Sequence, residues 1–287
     1  MKKGKLDIEP YLYLLPALIY FTVFSFYPFI RTIASTFFTV TANGEIKEFA
    51  GLSNYLRVLG DVNFIRSVGN TIVYVILASP VAILIALILA LLANKKTRTS
   101  SDYETMFSLS MAMSMSVAAM IFKIMYNPNI GIINKVLGTK INWLNDSSYA
   151  MAAMSFISVW MNIGFNFLFL LAAIRGVSAD YLESAEIDGA NMWHKTKSII
   201  LPIISPTIFF LICNSLAKNM MMSGLPIILT EGGPNGSTST MIYYMYKQAF
   251  SNMSYNDAYA AAVITFILSL AAILISFAFE KKGVHYT

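Results

Sequence analysis

Six long, nearly uncharged apolar runs decide what this chain can fold into. They cover residues 11–30, 71–93, 105–126, 149–174, 198–217 and 258–279, and the fifth extends toward residue 229. A bilayer core about 30 Å thick takes about 20 residues of helix. Backbone that is not internally hydrogen-bonded cannot cross it alone, so each run is read as an α-helical span. Composition agrees: 57% of the 287 residues are hydrophobic and 12% are charged, where a water-soluble domain has about 25% charged. The predicted fold class is an all-α membrane protein with six transmembrane helices. The basic N-terminus "MKKGKLDIEP" precedes the first run as in a signal peptide. That run is long and no small-residue cleavage site follows it, so a retained first span is expected.

Lys and Arg set the expected orientation. With the N-terminus inside, the inner segments hold Lys2, Lys3, Lys5, Lys95, Lys96, Arg98, Arg175, Lys195, Lys197, Lys281 and Lys282. The outer segments hold Lys47, Arg57, Arg66, Lys135, Lys140 and Lys247. Both termini are therefore expected in the cytoplasm. Arg31, Lys123 and Lys218 lie near predicted span ends, where long side chains snorkel. Residues 1–66 are read as the first span with its outer loop, in which "GLSNYLRVL" suggests a short helix. Residues 67–287 are read as the core transmembrane domain. "TEGGPNGSTST" reads as a turn-rich outer loop.

Several classes fall away. The net charge of +5 comes from residues scattered between apolar runs, not from one basic surface, so nucleic acid is not an expected partner and lipid is. The one cysteine, Cys213, forms no internal disulfide, and two His with one Cys make no metal cluster. No Gly-x-x-x-x-Gly-Lys-Ser/Thr pattern occurs, so no nucleotide site of that kind is expected.

The longest inner loop, 175–197, contains "ESAEIDGANMWHKTKSIILP". Asp180 and Glu183 make a capping-box-like pair, so a helix is expected from about Tyr181 to Asp188. Gly189 allows a sharp turn, Asn191 caps a second helix, and "KSIILP" leads into the fifth span. Interfacial helices on anionic lipid favour Lys and Arg. This one begins with acids, which fits lipid poorly and a protein partner better, with an ordinary amphipathic interfacial helix as the alternative.

The same stretch resembles the EAA loop of membrane subunits in binding-protein-dependent ABC importers: Glu-Ala-Ala, three residues, Gly, and nine residues later Ile-x-Leu-Pro. Glu183, Ala185, Asp188, Gly189, Ala190, Ile199, Leu201 and Pro202 match, and Ser184 replaces the first Ala. "GLSNY", Asn70-Thr71, "NPNIGIIN", "WLND", "GGP" and "YAAAV" agree in order over nearly the whole chain. Within that family the chain resembles the carbohydrate-importer permeases, particularly those of the glycerol-3-phosphate type. It departs in two places. The family's third span carries prolines near where Ser110 and Met115 stand, and its fifth is aromatic-rich where this chain has "AKNMMMSGLPIILT".

The resemblance implies the type I importer permease fold and a transport subunit that is not itself an enzyme. It implies that Glu183, Ser184, Ala185, Asp188, Gly189 and Ala190 couple to a cytoplasmic ATPase dimer, which hydrolyses the ATP, and that the chain needs no cofactor of its own. The other implied partners are a second related permease, commonly in a heterodimer, and an extracytoplasmic solute-binding protein that delivers a sugar or a sugar or polyol phosphate. The implied location is the bacterial cell membrane.

Asn162, Asn166, Asn214 and Asn219 are candidates for the substrate path, since polar residues at membrane depth face the protein interior or a wet cavity. For any one of them a bond between helices is the commoner role. Asn162 and Asn166 are spaced to share a helix face. A phosphate ester would need positive charge on its path, and the predicted mid-span regions hold almost none. The alternative reading is a secondary transporter driven by an ion gradient. It would be expected to show inverted repeats and an acid in mid-span, and no acid lies there. A membrane-embedded enzyme would need a cluster of catalytic polar groups, and none is evident.

Overall fold

The computed structural model describes residues 9–41, 43–94 and 100–283. Lys2, Lys3, Lys5, Lys95, Lys96 and Arg98 of the expected charge bias lie outside the described residues, and the side chains of Lys281 and Lys282 do too. By internal contacts the chain forms two units: residues 1–61 with 245–264, and residues 62–244 with 265–287.

The first unit begins with α1, Tyr11–Ser35. Its residues 11–31 are exposed on every side, and a helix apolar all round belongs against lipid or another chain. Pro28 lacks an N–H and crowds the carbonyl one turn earlier. The helix widens there into a π turn over Thr22–Phe26. Strands β1, Phe38–Val40, and β2, Ile46–Phe49, pair antiparallel with Phe38 opposite Phe49. Helix α2, Ser53–Gly60, follows and matches the short helix expected from "GLSNYLRVL".

Asn54 explains that motif. It is fully buried, and its amide donates to the carbonyls of Thr36 at 2.8 Å and Phe38 at 3.0 Å. Tyr55 shares a 2.7 Å hydroxyl bond with Thr36. Residues 200 and 216 positions further on complete the unit. Asp257 pairs with Arg57, and Asn256 accepts from the backbone N–H of Val40 at 2.7 Å. The hairpin was not foreseen: its strands have three and four residues, and β2 is exposed throughout, so no alternation marks it.

The second unit contains α3 (Val62–Ala93), α4 (Ser100–Ala112), α5 (Met115–Met125), α6 (Ile132–Leu137) and α7 (Ala150–Arg175). It continues with α8 (Ala179–Ile187), α9 (Met192–Ile203) and α10 (Ser205–Met220). The last helix, α11 (Tyr255–Gly283), belongs to it from residue 265.

Four helices are long and apolar enough to cross a membrane, and two bent pairs make six if each pair is one span. The third and fifth expected runs, 105–126 and 198–217, are thus corrected to broken helices. Between α4 and α5 the axis turns by 104°. Ser114 stands there in extended backbone and caps α5 by accepting from the N–H of Val117 at 3.3 Å. Between α9 and α10 the axis turns by 66°. Pro202 and Pro206 flank that break, and a π turn over Thr196–Ile200 precedes it.

Ala78, Ala82, Ala86 and Ala90, spaced every fourth residue along α3, are each at most 1% exposed. Small side chains let helix backbones approach closely in lipid. On α7 Gly164 does the same, since a Cβ there would stand 2.5 Å from the Phe107 carbonyl of α4. Arg175 closes one end of this packing, donating to Glu104 at 2.6 Å and to the Ala93 carbonyl at 3.2 Å. One apolar cluster around Phe167, Leu170, Ile174, Ile200 and Leu211 extends to Leu182 and Ile199. That extension anchors the loop after α7 to the span bundle.

The Gly-rich stretch 230–240 is ordered by polar ties. Asn70 donates to the carbonyls of Gly236 at 2.8 Å and Ser239 at 2.9 Å, and Arg66 donates to that of Asn235 at 2.9 Å. The Thr71 hydroxyl accepts from the N–H of Met241 at 3.0 Å. The Asn70-Thr71 pair therefore positions this loop.

Candidate functional site

Two places gather the candidate residues. The first is the α8–α9 loop. Helix α8 starts earlier than expected, and its cap is Ser178, whose hydroxyl accepts from the N–H of Asp180 at 3.3 Å. The expected Asp180–Glu183 capping box is thus corrected. Asp180 instead occupies the first turn, where its charge complements the helix dipole.

Gly189 ends the helix at φ +78°. The N–H of Ala190 donates to the Ala185 carbonyl at 2.8 Å, and that of Gly189 to the Glu186 carbonyl at 3.0 Å. This is a Schellman closure, which places a left-handed residue just past the helix end. Asn191 caps α9 as expected, accepting from the N–H of His194 at 2.9 Å.

Lys195 is buried, and its ammonium donates to Glu186 at 2.9 Å. The tie joins α8 to α9 and holds the Glu186 carboxyl below its usual range, first through the hydrogen bond and then through the lysine charge. Read from sequence, Lys195 only marked the cytoplasmic side, and Glu186 had no role. The pair is nine residues apart across a turn, so helical spacing does not reveal it.

Leu182 turns inward onto the apolar cluster. Glu183, Ser184, Asp188 and Gly189 are exposed, and Ala185 and Ala190 are half-buried. Ala185, Asp188, Gly189, Ala190, Asn191 and His194 line a groove of about 460 Å³. Beside it stand exposed apolar side chains, among them Ile187 at 88% and Trp193 at 74%. Carboxylates, an open groove and large uncovered apolar groups make a surface suited to another protein.

The second place is a cavity of about 560 Å³ between α4, α5, α7 and the end of α10. Asn162 and Asn219 both line it. Asn219 donates to the hydroxyls of Ser79 at 2.8 Å and Ser215 at 3.2 Å, and accepts from Ser158 at 3.3 Å. Asn162 donates to the Ser158 carbonyl at 2.8 Å. Asn166 and Asn214 are not among the walls. Asn166 is 2% exposed, so the expected shared face of Asn162 and Asn166 splits between cavity and core.

Lys218 also lines the cavity, with its ammonium 4.8 Å from the centre of the Phe165 ring. Phe165 lies roughly 15 Å along α7 from Arg175 at a rise of about 1.5 Å per residue, near the middle of that 26-residue helix. Lys218 itself stands in the last turn of α10, two residues from its end, as expected of a residue near a span end.

A broken-helix bundle with a polar cavity between its helices and a capped loop on one end is the build of a membrane transport subunit. The family of binding-protein-dependent transport system inner membrane components matches residues 56–282, and the chain belongs to it. It is 31% identical over 283 residues, 97% of each chain, to the sn-glycerol-3-phosphate transport system permease protein UgpA of Agrobacterium fabrum. It is 32% identical over 284 residues, 98% of this chain and 97% of the relative, to the UgpA protein of Brucella suis. In fold it is similar to a chain of the bacterial alginate ABC transporter solved with an alginate pentasaccharide-bound periplasmic protein. That match has a TM-score of 0.84 at 23% identity and covers 97% of this chain and 98% of that one. A chain of an amino acid ABC transporter matches at a TM-score of 0.54 and 15% identity, covering 83% of this chain and 100% of that one.

Proposed function

We propose that the chain is one of two permease subunits of an ATP-driven importer for a sugar or a sugar or polyol phosphate, in the bacterial inner membrane with both termini cytoplasmic. A solute-binding protein delivers the substrate from outside. A cytoplasmic ATPase dimer hydrolyses the ATP, and this chain holds no cofactor. Residues 67–287 form the core permease, and 1–66 add the first span with its outer loop. The loop 175–197 is the coupling element: Glu183, Ser184, Ala185, Asp188, Gly189 and Ala190 engage a groove of the ATPase, and α9 carries the displacement into the bilayer. Asn162 and Asn219 line the substrate path.

The observation that carries this reading is the capped loop itself. It is fixed to the bundle on one side through Leu182, Ile199 and the Glu186–Lys195 tie, and its carboxylates are uncovered on the other. A rigid lever that is bare where it meets solvent suits a partner that pushes on it. The test is uptake into proteoliposomes holding the full assembly. Uptake that requires ATP and the binding protein is expected, whereas uptake driven by an ion gradient alone would sink the reading.

A further inference from the structure

The geometry points to Lys218 as an anion-holding residue of the substrate path, which makes the substrate a polyol or sugar bearing a phosphate or carboxylate group. This rests on the importer reading above and adds the charge of what is carried.

Lys218, in the last turn of α10, is exposed and lines the cavity. Among the described residues no carboxylate pairs with Lys218. Its contact is the face of Phe165, which attracts a cation without neutralising it. The same cavity presents the Asn162 amide and the Ser110 and Ser223 side chains, groups that bond hydroxyls. Around them stand Met111, Met161 and Met221, flexible side chains that adapt to a passing solute. One cation, several neutral hydrogen-bonding groups and an adaptable apolar wall match a small polyol with one anionic group. Phe165 is then the resting place of the ammonium, and the arriving anion draws it away.

The test uses the complete transporter in proteoliposomes with sn-glycerol 3-phosphate as probe. Lys218→Met is expected to raise KM for ATP-driven uptake at least about tenfold, the scale of one lost hydrogen bond to a charged group, and Lys218→Arg to recover most of it. Unchanged uptake by Lys218→Met overturns the assignment. So does failure of that variant to assemble with the second permease, which would make the lysine an interface residue. A wild type that carries maltose and not the phosphate ester overturns the anion and leaves the importer intact. A wild type that carries nothing with ATP overturns the importer reading. A measurement that needs no transport then decides on Lys218. In a Cys213→Ser, Met221→Cys transporter, the ratio of reaction rates with anionic and cationic methanethiosulfonates is compared with and without Lys218→Met. A fall of about fivefold or more is expected from loss of a nearby cation, and an unchanged ratio overturns the inference.

Discussion

Lys195 and Glu186 meet at 2.9 Å across the turn at Gly189, with the lysine side chain 9% exposed and the glutamate 75%. The bond makes α8 and α9 a single rigid elbow. The folded glutamate has a lowered pKa, so its contribution is present above the ordinary glutamate value and is lost as pH falls through the folded one. The elbow is therefore closed at every physiological pH. A carboxyl titration by NMR should place Glu186 below the ordinary value of about 4.3, and Lys195→Met should return it there. An unshifted wild-type midpoint would count against the tie.

Gly189→Ala should loosen the same elbow for a backbone reason alone. Its φ is +78° and no atom lies within 4 Å of an added Cβ, so the cost is about 1–2 kcal/mol of left-handed strain. Gly189→Asn should cost less, because Asn tolerates that region. Coupling, read as ATP-driven uptake per ATP hydrolysed, should follow the order Gly, Asn, Ala. Equal coupling in all three would show that the turn does not limit the lever.

Glu183→Lys separates attachment from folding. The side chain is exposed, so stability should stay within about 0.5 kcal/mol. Co-purification of the ATPase should fall several-fold. Normal co-purification would remove Glu183 from the coupling surface.

Asn219 holds α10 to α3 through Ser79 while facing the cavity. Asn219→Ala leaves buried hydroxyls without their partner and should cost about 1–3 kcal/mol, seen as a lower melting temperature in detergent. Ser79→Ala added to it should cost little more, since the two share one interaction. Strict additivity would argue that they act separately.

The spans were legible because lipid excludes charge, and runs such as 71–93 leave no other solution. The Gly189 turn and the Asn191 cap were legible because each is local and tied to one residue type. What escaped was set by tertiary contact or by direction. Hydropathy reports how apolar a run is and not whether it turns, so the breaks at Ser114 and Ile204 were hidden within continuous apolar runs. The approach of Lys218 to the Phe165 ring on α7 is a tertiary contact, which its place along one span does not reveal. Ser178 displaced Asp180 as the cap because helix starts are uncertain by a residue or two. Of the four asparagines, only packing could separate Asn162 and Asn219 from Asn166 and Asn214.

The partners of the hairpin carry a consequence for biosynthesis. Arg57 and Val40 meet Asp257 and Asn256, 200 and 216 positions later. At about 5–20 residues per second, a nascent chain holds its hairpin unclasped for roughly 10–40 s while the intervening helices are made. The clasp closes only when the last helix begins to emerge. A chain truncated before residue 256 would leave the hairpin open, with the Val40 N–H unclaimed and the Arg57 guanidinium held by Asn54 without its carboxylate partner, and the translation and surveillance machinery would meet an incomplete fold rather than a shortened one.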